Sequence, residues 1–202
     1  MRLVATSTRD RFAVVPPTEP AINWRELSDE QIAGYWAGTD VPLASETPLL
    51  HDRVVIVEIR ALGPSETFAL QPMLPRTSLT LIEAFASGQK MSEQPTEVQG
   101  EYYSLARGRA LLFGRAGIVR VTAGIDPSRL PPARVPCGAL EIWPEAIVSV
   151  LGAEAVMWLG SLVERLTQPI DPEKKSGSGS SPTATAGTTP ASTATASDAR
   201  AS

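Results

Sequence analysis

The stretch "AIVSVLGAEAVMWLGSLV", residues 146–163, carries a single charge, Glu154. Read as one rod it competes for a membrane. Read as two pieces it is the core of a soluble body. A spanning helix needs about twenty apolar residues. A carboxylate near its middle costs roughly 2.5–3.5 kcal/mol on insertion scales. Turning 100° per residue from Glu145, the side chains of Glu145 and Ser149 share one side with Gly152. Glu154, Ser161, Arg165 and Gln168 fall on the opposite side. An unbroken span has no reason to swap its polar face. Two amphipathic helices meeting at Gly152 account for the swap, because glycine enters backbone conformations that other residues avoid. The second helix then has a clean apolar stripe of Ala155, Leu159, Leu162 and Leu166, flanked by Val156 and Val163. The stretch therefore predicts a broken helical pair in a globular core, with no transmembrane span.

Working upstream, "ALEIW" (139–143) reads as a last strand, and Pro144 suits the first position of a helix. "DPSRLPPARVPCG" (126–138) reads as a surface loop. In "GRALLFGRAGIVRVTAG" (108–124), apolar runs at 110–113 and 118–123 flank a glycine-bounded turn, which predicts a β-hairpin. Residues 89–100 are polar and read as a loop. "TSLTLIEAFASGQ" (77–89) predicts a helix capped by Thr77 or Ser78 and stopped by Gly88, with Leu79, Ile82, Phe85 and Ala86 toward the core. "RVVIVEIRAL" (53–62) is the clearest strand, its Val55, Val57 and Ile59 sharing the core face. After the turn at Gly63, Pro64 and Ser65, "ETFALQP" (66–72) is the expected antiparallel partner. Ser28 and Gln31 form a capping-box pattern. They predict a helix over 29–37, ended by Gly38, that buries Ile32, Tyr35 and Trp36.

Pro16, Pro17 and Pro20 punctuate an N-terminal arm over 1–20. Its first residues lack the apolar run of a secretory signal. From Ser176 onward the sequence has no large apolar side chain, so 169–202 is expected to be a disordered Ser/Thr/Ala/Pro-rich tail. Between them, 21–168 is expected to form one α+β domain. It should hold a small, mainly antiparallel sheet, a few short helices and the broken C-terminal pair.

The chain has 202 residues, 43% of them hydrophobic, and a net charge of −4. Its one cysteine, Cys137, forms no internal bridge, which fits a reducing, cytoplasmic setting. With one cysteine and one histidine, His51, a Cys/His zinc site lacks ligands. No metal and no cofactor are expected. No phosphate loop, dinucleotide fingerprint, zincin motif or nucleophile elbow is present. Asp52, adjacent to His51, points the wrong way along a strand to orient it as a base. Cys137 reads as a quiet thiol beside Arg134. Glu58 and Glu66 facing each other across a hairpin would repel, which disfavours a carboxylate pair for catalysis.

Arginine dominates the positive charge, with only Lys90, Lys174 and Lys175 as lysines. Arg107, Arg109, Arg115, Arg120, Arg129 and Arg134 face only Glu101 and Asp126 between Gly100 and Gly138, a local +4. Tyr102 and Tyr103 just upstream suit stacking on bases. A solvated face with arginines paired to acids elsewhere is the reading the sequence favours.

The absence of catalytic clusters favours a non-catalytic interaction or assembly protein: an accessory subunit, a scaffold, or a virus or phage morphogenetic factor. Its partner would be another protein or a second copy, met through Trp143 and Trp158. One alternative is binding of RNA or another polyanion by the arginine-rich 107–134 region, with steep salt dependence. Another is a peripheral membrane-associated assembly factor using the 145–167 helices, since Trp143 and Trp158 suit a membrane surface. Few cations accompany them there.

Overall fold

The computed structural model describes residues 3–168. The C-terminal pair is broken where the polar face swaps. Helix α5 (Ala146–Leu151) ends at Gly152, whose φ is +89°, and α6 (Ala153–Thr167) starts directly after it. Ala155, Val156, Leu159, Leu162, Val163 and Leu166 are all buried. Among the described residues, no helix is long and apolar enough to cross a membrane.

The partner of α6 is a helix that the sequence reading missed. Residues 89–100 were expected as a loop, 110–113 as the first strand of a hairpin and 114–117 as its turn. Residues 96–117 form instead one helix, α4 (Thr96–Gly117), while 89–95 are irregular apart from one 3-10 turn at Met91–Glu93. The glycines that resemble turn residues serve close approach. A Cβ on Gly160 of α6 would run into the Ala110 carbonyl, and one on Gly114 of α4 would run into the Val156 carbonyl. Removing those side chains lets the two backbones touch. The dispersion gained across such a contact offsets the roughly 1 kcal/mol helix cost of each glycine.

Strand β3 (Ile118–Ala123) leaves α4 without a turn. It pairs antiparallel with β2 (Ile56–Ile59), which pairs antiparallel with β1 (Phe12–Val14), in the order β1-β2-β3. Val57 and Ile59 are fully buried on the face expected for them. Val55 is half-buried and Val54 is buried instead, ahead of the paired segment. The N-terminal region contributes β1 and the fully buried Val14 and Val15 to this core. A second hairpin joins β4 (Val135–Cys137) to β5 (Leu140–Ile142). The expected surface loop thus supplies β4.

The expected strand at 66–72 is wrong. Pro64–Leu70 is helix α2, entered by Pro64 in the first turn. Glu66 reaches back to accept the Gly63 N–H at 2.8 Å, satisfying a donor that the helix leaves free. Arg60 donates two hydrogen bonds to the same carboxylate, at 2.7 and 2.6 Å. Together they hold Glu66 below the usual carboxylate range, against a smaller upward push from burial.

Helix α1 (Asp29–Ala37) has both halves of the capping box and the αL stop at Gly38. Tyr35 is fully buried, donates its hydroxyl to the Val15 carbonyl, and has its pKa pushed up to about 12 by burial. Trp36 is exposed rather than buried, but stacks on Trp24. Trp24 meets Tyr35 edge-on, and Tyr35 stacks on Trp158 of α6. Arg165 of α6 donates to the carbonyls of Ala37 and Gly38, tying the two helices at their ends.

Helix α3 (Leu79–Ala86) forms where expected and is capped by Ser78. Its rotation is not as expected. Leu81 and Ala84 are buried, while Leu79, Ile82 and Phe85 are 77%, 50% and 55% exposed. The cause lies on α4. Glu101 accepts from the Ser78 N–H at 3.1 Å and from its hydroxyl at 2.7 Å. This anchors the N-terminus of α3 so that Leu81 and Ala84 meet Val98 in a small cluster separate from the main core. The described residues form one α+β unit with small antiparallel sheets. The tail expected over 169–202 lies outside them.

Candidate functional site

One face of α4 carries Tyr102, Leu105, Ala106, Arg109 and Ala110 at helical spacing. Its C-terminal continuation is covered by α6, and its N-terminal part supports α3. Between the two covers, the face lies open at the floor of a cleft of about 760 Å³. Leu81 and Phe85 of α3 form one wall, and Ser161 and Glu164 of α6 form the other. Leu74, Pro75 and Arg76 close the end. Pro75 seats there because Gly108 of α4 has no side chain; a Cβ would lie 2.9 Å from the proline ring.

The polar groups of the cleft are unevenly matched. Arg109 donates its Nε to Glu164 at 2.6 Å, with its guanidinium 5.3 Å from the Phe113 ring centre. Arg76 is exposed and makes no side-chain hydrogen bond or ion pair among the described residues. Glu101, under α3, is occupied by Ser78. Phe85 meets Tyr102 edge-on at 6.0 Å, and Tyr102 meets Tyr103 at 5.4 Å. Phe85 therefore belongs both to the cleft and to the exposed stripe with Ile82 and Leu79. Tyr103, 60% exposed, adds to that surface from α4.

Four of the six arginines singled out by the sequence are committed to partners. Arg109 lies in the cleft. Arg115 donates to the Trp143 carbonyl at 2.8 Å. Arg120 pairs with Glu58 across the sheet at 2.8 Å. Arg134 donates to the carbonyls of Ile118 and Val119 and lies over the Trp143 ring. Burial pushes its pKa below the ordinary arginine value. Repulsion from Arg60 adds to this and Glu141 opposes it. Arg107 and Arg129 are exposed, and neither side chain makes a hydrogen bond or ion pair among the described residues.

Of the two tryptophans expected at a partner surface, Trp158 is 8% exposed and donates its indole N–H to the Tyr35 carbonyl. Burial against α1 removes it from any surface. Trp143 is half-buried, with its N–H on the Ile118 carbonyl at 3.0 Å.

Glu58 and Glu66 each hold an arginine rather than each other. His51 is exposed and accepts the Arg53 N–H at Nδ1. The Cys137 thiol is buried, 3.2 Å from the Met73 sulfur, at the edge of an apolar hollow beside Phe68. Among the described residues, no three His, Cys, Asp or Glu side chains come together as metal ligands.

Sequence reasoning missed Arg76, and it placed Phe85 and Ile82 on the wrong side of their helix. The available signal was that α3 is apolar around most of its circumference, with more oily faces than one neighbour can cover. Set against protein-family models, curated proteins and solved structures, the chain matches none of them.

Proposed function

We propose that this is a non-catalytic interaction or assembly protein whose partner is another protein. One observation carries the reading: Leu79, Ile82 and Phe85 of α3 stand half or more exposed, and the Phe85 ring leads through Tyr102 to the exposed Tyr103 of α4. At roughly 200 Å² for a fully exposed large side chain, they leave about 500 Å² uncovered. Monomeric proteins rarely present contiguous apolar patches much larger than this, and the largest patch is often functional. A standard interface takes about 800 Å² from each partner, so the patch has the size of an interface centre before any polar rim is added.

Site-specific photocrosslinking in the native host tests the reading. A photoreactive residue at position 82 should give a discrete adduct with another protein. The same residue at position 122, on the exposed side of β3, should not. Identical patterns from both positions, or no adduct from position 82, would remove the proposal.

A further inference from the structure

We infer that the cleft between α3 and α6 receives an acidic, amphipathic helix of the partner protein. The inference rests on the interaction role proposed above and specifies the chemistry of what is bound.

The form of the cleft favours a helix. Its floor and two walls are three helices, α4, α3 and α6. No strand edge lines it, so an extended peptide has no ladder to join. Recognition must run through side chains, as when an amphipathic helix lays its apolar stripe into a groove. A volume of about 760 Å³ falls within the range of small-molecule sites. Phe85, however, lines the cleft and is still 55% exposed, so an apolar ring stands at its rim. A helix lying along the cleft covers that exposed ring and a small occupant does not.

The charge favours an acid. Arg76 and Arg109 both line the cleft, and Glu164 is its lining carboxylate. Glu164 already holds the Nε of Arg109, and Arg109 commits only that one donor to it. Arg76 has no side-chain partner among the described residues. The cleft thus offers uncommitted guanidinium donors and a carboxylate that is already taken. Guanidinium forks match carboxylates in paired hydrogen bonds. A basic helix would meet Arg76 and Arg109 with like charge.

Two synthetic helical peptides of about 18 residues test this against the full chain. Both carry the same Leu/Phe stripe; one has Glu and the other Lys on the flanking positions. Binding is read by fluorescence anisotropy at low salt. The Glu peptide should bind about tenfold or more tightly than the Lys peptide. Arg76→Glu should abolish that preference, and Phe85→Ser should weaken both peptides by a similar factor. Both positions are exposed, and unchanged far-ultraviolet circular dichroism confirms that each variant stays folded. If Phe85→Ser loosens α3, the charge swap at Arg76 decides alone. Equal binding of the two peptides, a preference for Lys, a preference that survives Arg76→Glu, or no binding of either would overturn the inference. A discrete adduct from position 82 alongside any of these results leaves the interaction role standing and removes only the acidic helix.

Discussion

The two halves of α4 are held by different physics. In the C-terminal half, Ala110, Leu112, Phe113, Gly114, Ala116 and Gly117 are buried, and the contact with α6 is so close that glycine is required on both sides. In the N-terminal half, only Val98 is buried. There α3 is held by the Ser78–Glu101 hydrogen bonds and a cluster of a few side chains. The body depends on steric fit, which fails sharply. The arm depends on a polar anchor and modest burial, which leaves apolar surface available at little cost to the fold. Regions of low local stability are where binding surfaces are commonly drawn from.

Substitutions should separate the halves by size of effect. The largest is expected at the seam. Gly160→Val places a branched side chain against the Ala110 carbonyl and should destabilise the protein by about 3 kcal/mol or more, read by denaturant titration. A loss below about 1 kcal/mol would mean the helices separate freely, and the contrast between the halves would vanish.

A smaller effect with a defined pH dependence is expected beside the core, at Glu66. Its folded pKa is held below the ordinary 4.5 by Arg60 and the Gly63 N–H. Its contribution is therefore complete above the ordinary value and fades as pH falls toward the lower folded value. Glu66→Gln should cost about 1 kcal/mol at neutral pH, allowing for partial exposure. The gap to the parent protein should narrow below about pH 4.5 in melts across a pH series. A gap that widens in acid would reverse the assignment.

The smallest effect is expected on the arm. Leu79→Ser changes a side chain that is 77% exposed and should move stability by less than about 0.5 kcal/mol. A loss of 2 kcal/mol in the same titration would place Leu79 in a core and erase the distinction.

What the sequence revealed follows the same division. Helix α6 was legible because its apolar residues occupy one stripe and Gly152 marks the break. Helix α1 was legible because the Ser28–Gln31 cap is local. Helix α4 was hidden, because glycine bounding a turn and glycine at a helix crossing are written with the same letter. Val156, the residue that decides between them at Gly114, is remote in sequence. The existence of α3 was legible, but its rotation was not. Its apolar residues fit either face, and the choice is made by Glu101, 23 positions beyond Ser78. The cleft was illegible for a related reason. Arg76, Arg109 and Glu164 come from three distant segments, and their convergence on one cleft is a property of the assembled fold.

The ring stack running from Trp36 through Trp24 and Tyr35 to Trp158 has an optical consequence. Three of the chain's four tryptophans sit in it, and the fourth, Trp143, lies against Ile118. Every indole chromophore therefore belongs to the body. Indole emission, excited apart from tyrosine, follows the loosening of α1 from α6 and stays blind to α3, whose neighbourhood contains only phenylalanine and tyrosine rings.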